Sequence, residues 1–306
     1  MKKILLFSLF FLLVFCANAQ IDEKIKRSFE TANSPELSIN NSFGDITIKK
    51  HNKKIIDVLV EINVVPQKSR DYEKVKDKVR IQIEESGDRL ELTTINDLNG
   101  ISTEQLEIDY TISIPENTSL KIRNQFGDVW IEGTKSNVYA RIQHGDFYCG
   151  NIEGKNSSIE VQFGELRLES IADAELEIQH GDFRAQKLKN VEFEVQFSDS
   201  EIDHVEGDVT IDVQHSDLSI GVVGIELKVL DIDAQFSDIE IESGLWSVFY
   251  MELEGSFTDF SFPGLFKDWI VYKSKEINSV EYHINDRDTS GGRIKIDANH
   301  SDVDLD

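Results

Sequence analysis

Apolar and polar positions alternate along most of this chain, and the alternation is organised around a recurring acidic residue. Counted from that residue, apolar side chains fall at +1 and +3, as in Ile46/Ile48, Val129/Ile131, Phe147/Cys149, Leu166/Leu168 and Leu218/Ile220. They fall again at −4 and −6, as in Ile142/Ala140, Val161/Ile159, Ile178/Leu176 and Val213/Ile211. The first slot is polar once, at Ser200. A period of two marks strands with one buried face, so each repeat holds two short strands.

The segment between the two strands is a motif. It reads Gln125-Phe126-Gly127-Asp128, Gln143-His144-Gly145-Asp146, Gln162-Phe163-Gly164-Glu165 and Gln179-His180-Gly181-Asp182. It continues as Gln196-Phe197-Ser198-Asp199, Gln214-His215-Ser216-Asp217 and Gln235-Phe236-Ser237-Asp238. Outliers occur at Phe43-Gly44-Asp45, Phe257-Thr258-Asp259 and His300-Ser301-Asp302. Gly-Asp and Ser-Asp pairs supply turn geometry, because Gly tolerates positive φ and Asp bonds nearby backbone N–H groups. From Asp128 to Asp259 the acidic positions are 18, 19, 17, 17, 18, 21 and 21 residues apart. A period near 20 residues predicts a stacked repeat architecture. The expected fold is an all-β, right-handed β-solenoid of stacked ~18-residue repeats with an N-terminal β cap.

Two expectations concern the motif itself. The Phe/His position shares parity with −4 and −6, which predicts a side chain pointing inward near a corner. Phe and His alternate from 126 to 236, and like-on-like ladders favour two repeats per turn, roughly 36 residues. Phe257 breaks the alternation. The glutamines at −3, from Gln125 to Gln235, predict a column whose simple role is an amide ladder.

The chain divides into residues 1–19, 20–117 and 118–306. The first carries Lys2 and Lys3, an apolar run over 4–15 and Ala17-Asn18-Ala19, the features of a cleaved secretory signal. Cys16 offers a lipoprotein alternative, with Leu13 in place but Phe15 where a small residue is expected. Residues 20–117 hold one motif and strand-like runs at 55–65, 79–84, 90–94 and 106–114, with one or two helical turns over 71–78. They predict a β segment that starts and caps the stack. Residues 118–306 are the repeat region, less regular from about 263, where Pro263-Gly264 and Ser290-Gly291-Gly292 punctuate it. The final strand carries Asp302, Asp304 and Asp306, charges expected to guard a terminal edge. No stretch after the signal is long and apolar enough for a transmembrane helix.

Losing Lys2 and Lys3 takes the formal net charge from −25 to −27. Such an excess argues against nucleic acid and anionic membranes as partners. Cys149 remains as a single thiol in an apolar slot, so neither a disulfide nor a reactive cysteine is expected. Gly-x-Ser-x-Gly, P-loop and dinucleotide motifs are absent, as is the calcium-binding nonapeptide. Imidazole and carboxylate make His144, His180, His215, Asp146, Asp182 and Asp217 metal candidates if the histidines share a column. The plainer reading is that each His fills a corner, and no metal or other cofactor is expected. Paired acids could also serve a polysaccharide-cleaving β-helix, but here the acids are spread evenly by the repeat.

The repeated Gly-Asp followed by alternating apolar residues resembles the adhesin-type β-strand repeat families of Bacteroidetes and Firmicutes (DUF4097/DUF2807-like). The start Leu37-Ser38-Ile39-Asn40-Asn41-Ser42-Phe43-Gly44-Asp45 is similar to theirs. So is Ile112-Ser113-Ile114-Pro115 followed by Leu120-Lys121-Ile122 and Gln125-Phe126-Gly127-Asp128. The resemblance implies a β-solenoid, export and a surface or adhesion role, and it carries no catalytic residues. The expected function is a non-catalytic exported structural or binding protein that contacts an envelope protein or polysaccharide. Its expected location is the periplasm, the outer surface or the medium. The alternatives are a β-helix polysaccharide hydrolase or lyase, and a metal-responsive envelope sensor using the His column.

Overall fold

The computed structural model describes residues 20–31, 33–286 and 291–306. The expected signal over 1–19, Cys16 with it, and Ser290 lie outside the described residues. The fold is an all-β solenoid of parallel strands.

Residues one repeat apart lie side by side. Phe147 pairs with Leu166, Leu166 with Phe183, Phe183 with Ser200 and Ser200 with Leu218. One repeat is therefore one turn, and the expected two repeats per turn are overturned. Like-on-like stacking proved the weaker constraint. A coil of about 18 residues already closes, because two strands and two corners bring the chain back to its start.

The +1, +3, −4 and −6 side chains of the coils point inward and are buried, apart from Phe260 and Phe262 in the Asp259 coil, which are half-buried. Phe183 and Phe193 meet across the coil with ring centroids 4.4 Å apart. Each fully buried aliphatic or aromatic side chain contributes about 1.5–3 kcal/mol, so the stack is held by its own continuous core. Ser200 takes the slot beside Phe183 and Leu218, and among the described residues its buried hydroxyl has no hydrogen-bond partner.

Both ends interleave the chain out of sequence order. At the start, Glu36–Asn41 lies between Arg89–Asn96 and Ser119–Asn124, and Ile46–His51 lies between Thr103–Pro115 and Val129–Thr134. Antiparallel strands cover this end: Ile21–Glu30 on Ile55–Pro66, Ile55–Pro66 on Thr103–Pro115, and Val79–Ser86 on Arg89–Asn96. The helical turns are Ser69–Asp71 and Tyr72–Val75.

At the other end Arg293–Asn299 inserts between Leu218–Gln235 and Tyr250–Ser256. Asp302–Leu305 likewise inserts between Asp238–Ile241 and Asp259–Ser261. The last strand is thus an interior one, and its acids do not guard an edge as expected. The covering there is the antiparallel pair Ser279–Ile284 and Ile270–Lys275. Among the described residues no helix is long and apolar enough to cross a membrane.

Candidate functional site: an exposed ring column

The Phe/His position does not point inward. His144, Phe163, His180, Phe197, His215, Phe236, Phe257 and His300 all have φ between 52° and 58°. This left-handed conformation turns the chain at the corner and reverses the side chain's parity, so the ring faces solvent. Phe163, Phe197 and Phe236 are 51–53% exposed. The inward expectation fails because period-two parity holds only for extended backbone.

The displayed rings form one column. His144 stacks between Phe126 and Phe163, His180 between Phe163 and Phe197, and His215 between Phe197 and Phe236. His300 then stacks between Phe236 and Phe257. The inserted terminal strand thereby restores in space the alternation that Phe257 breaks in sequence. With Phe43 on Phe126, ten rings stand at centroid spacings of 4.6–5.4 Å, a stripe of roughly 45 Å. Neighbouring rings occupy each other's faces, so the column offers its rims to solvent.

Two turn chemistries build this corner. In the first coils Gly44 and Gly127 carry the positive φ, at 105° and 127°. Buried asparagines replace the apolar −4 residue there: Asn41 Nδ2 donates to the Gly44 carbonyl at 3.2 Å, and Asn124 Nδ2 to that of Gly127 at 2.8 Å. From His144 onward the ring residue itself takes the left-handed φ, which releases the next position from its need for glycine. Gly145, Gly164 and Gly181 remain because an added Cβ would sit 1.9–2.0 Å from the carbonyl oxygen of the adjacent coil. Ser198, Ser216 and Ser237 instead form a buried hydroxyl ladder. Ser198 N–H donates to Ser216 Oγ at 2.9 Å, and Ser216 N–H to Ser237 Oγ at 3.2 Å.

Acidic ladders flank the rings on both sides. On one side the motif acids stack, and in the early coils each carboxylate accepts the next backbone N–H. Asp45 Oδ1 accepts from Asp128 at 2.8 Å, Asp128 Oδ1 from Asp146 at 2.9 Å and Asp146 Oδ1 from Glu165 at 2.8 Å. Farther along, Asp182, Asp199, Asp217, Asp238, Asp302 and Asp259 line a groove of about 760 Å³, with Arg184 at one end. On the other side Glu160, Glu177, Glu194, Asp212, Asp233 and Asp297 stand in register. Burial, with Glu160 and Glu194 beside it, holds the Glu177 carboxyl above the ordinary range. Burial, with Asp212 and Asp297 beside it, does the same for Asp233.

The glutamines form the expected column, but most of their side chains bond acids rather than each other. Gln179 Nε2 donates to Glu177 Oε1 at 3.0 Å and Gln196 Nε2 to Glu194 Oε1 at 2.8 Å. Gln143 to Gln162, at 3.1 Å, is an amide rung of the expected kind.

The metal candidates separate. His144, His180 and His215 share the column, yet Phe163 and Phe197 lie between them. Imidazoles held two ring spacings apart cannot share an ion at ~2.1 Å. Asp146, Asp182 and Asp217 stand in the neighbouring ladder, where Asp146 accepts a backbone N–H and Asp182 and Asp217 line the groove. Among the described residues no three His, Cys, Asp or Glu are arranged to hold a metal ion. Cys149 is buried, and burial pushes its thiol pKa well up.

The family model described as Toastrack DUF4097 matches residues 35–220. The chain belongs to this family. The toastrack coils continue past the match in the same register, through residues 230–241 and 293–305. Solved structures similar to this toastrack chain include a candidate adhesin from Bacteroides fragilis, at 10% identity and TM-score 0.37 over 93% of this chain and 97% of that one. Another is a candidate adhesin from Parabacteroides distasonis, at 8% identity and TM-score 0.35 over 93% and 97%. A third, described as a candidate lipid-binding protein from the same organism, matches at 10% identity and TM-score 0.35 over 92% and 96%. Likeness at this level does not bear on what the chain binds. No curated protein matches it.

Proposed function

We propose that this toastrack protein is a non-catalytic, exported binding protein of the cell envelope, and that the ring column is its contact surface. The observation that carries the reading is the residue type at the left-handed corner. A residue with positive φ is least strained as Gly or Asn, and the opposite corner uses Asn156, Asp173, Asn190 and Gly207. The ring corner instead places Phe or His at every coil from 144 onward, and displays the ring. Strain repeated at an exposed position points to the side chain as what the position is for.

The partner class is an envelope protein or a polysaccharide. The polysaccharide-cleaving alternative would draw on the acid groove. Glycoside cleavage needs a carboxyl raised to act as acid beside one that stays ionised. Glu177 and Asp233, the raised members of the flanking ladder, belong to a regular series outside that groove.

Two measurements on the producing cells test the proposal. Proteinase shaving of intact cells reports whether the protein is exposed at the outer surface, and fractionation with capture from envelope extract reports location and partner class. Recovery in the envelope or medium with a bound envelope component supports the reading. A cytoplasmic protein that captures nothing overturns it.

A further inference from the structure

The ring column has a pitch, and the pitch selects a shape of partner. Successive centroids from Phe126 to Phe257 are 4.6–5.1 Å apart. An α-helix rises about 5.4 Å per turn, so a helix laid along the column presents one turn to each ring. An extended strand, at about 3.3 Å per residue, sets same-face side chains near 6.6 Å and falls out of step within two rings.

Charge narrows the partner further. Glu177, Glu194 and Asp212 line one side of the rings, and Asp182, Asp199 and Asp217 the other. Among the described residues none of these six forms an ion pair. The central stripe is apolar at each phenylalanine rim and is bounded by carboxylates one coil apart, with Arg141 near Glu177 and Arg184 at one end of the groove as neighbouring cations. Resting on the proposed contact role of the rings, we infer that the column is a docking track for a cationic amphipathic α-helix. Its apolar stripe seats on the rims of Phe163, Phe197 and Phe236, and Lys or Arg on either flank meets the acid ladders. The like charges already crowded around Glu177 are relieved when such a helix arrives.

The test uses the whole protein and a fluorescein-labelled helical peptide of about 20 residues, about 30 Å long, built from Leu, Lys and Ala with one apolar face. A scrambled peptide of the same composition and a Glu-for-Lys version are the controls, read by anisotropy against salt. The patterned peptide is expected to bind, weakening as salt rises, and the scrambled peptide to bind about tenfold more weakly. F163N/F197N/F236N and E177Q/E194Q/D212N are each expected to weaken binding about tenfold, with far-UV circular dichroism confirming that both fold. Equal binding of patterned and scrambled peptides, or unchanged binding by the ring variant, overturns the inference. Ring-dependent capture of envelope material that a neutral glycan displaces and the peptide does not overturns it too, while leaving the contact role standing. Capture that ignores the rings defeats the contact role itself.

Discussion

His300 stacks on Phe236 with ring centroids 5.0 Å apart, although the two belong to coils that are distant in sequence. The contact exists because the terminal strands slot between two earlier coils. It places His300 where the Phe–His alternation needs a histidine.

If the rings are displayed for contact, removing one should cost the fold little. Phe197 loses stacking on His180 and His215, about 0.5–1.5 kcal/mol for each pair. Asn at the same left-handed φ recovers about 1 kcal/mol of strain. F197N should therefore lie about 0–2 kcal/mol below wild type in urea unfolding, with an unchanged m-value.

Small substitutions at the corner should destabilise the fold, to different degrees at different positions. Gly145→Ala drives a Cβ to 2.0 Å from the Gly127 carbonyl oxygen, and about 2–4 kcal/mol of destabilisation is expected. Ser216→Ala removes a buried hydroxyl that accepts from Ser198 N–H and donates to the Gln214 carbonyl, each at 2.9 Å. That should cost about 1–3 kcal/mol. Asn124→Ala, which frees the Gly127 carbonyl, should fall in the same range of about 1–3 kcal/mol. Denaturant melts of the three variants check the order.

The acid ladder makes a pH prediction of definite sign. Folding raises the pKa of Glu177 and of Asp233. Their crowding therefore destabilises the fold in full above those raised values. It is relieved as pH falls through them toward the ordinary 4.5 and 3.8. Glu177→Gln should raise stability at pH 7 by about 0.2–1 kcal/mol, and the gain over wild type should vanish toward about pH 4. Thermal melts across that range would reveal a constant offset if the ladder did not matter.

Cys149 should behave as a core residue. Burial raises its thiol pKa and closes off access. A thiol reagent at pH 8 should leave Cys149 unmodified in the native protein and modify it in denaturant; rapid native modification would contradict its placement.

The coil architecture was legible because each buried slot repeats a residue type at fixed distance from the acid. The cap strands were legible by the same alternation. The turn count was not, since Phe and His stack on each other as readily as on themselves. The outward rings were missed because alternation continues on paper through Gln143-His144, where the left-handed φ of His144 interrupts it. One sign was available: −4 is Asn41 or Asn124 where glycine makes the turn, and Ile142, Val161 or Ile178 where the ring residue does. The insertion of His300 left no local trace, because it depends on pairing between distant segments. Its motif alone marked it as belonging to the column.

Capture of envelope extract by immobilised wild-type protein and by F163N/F197N/F236N tests the central claim most directly. With equal amounts of folded protein on each surface, wild type should retain a component that the triple variant does not. Equal retention by both would show that the exposed rings serve the stack and not a partner.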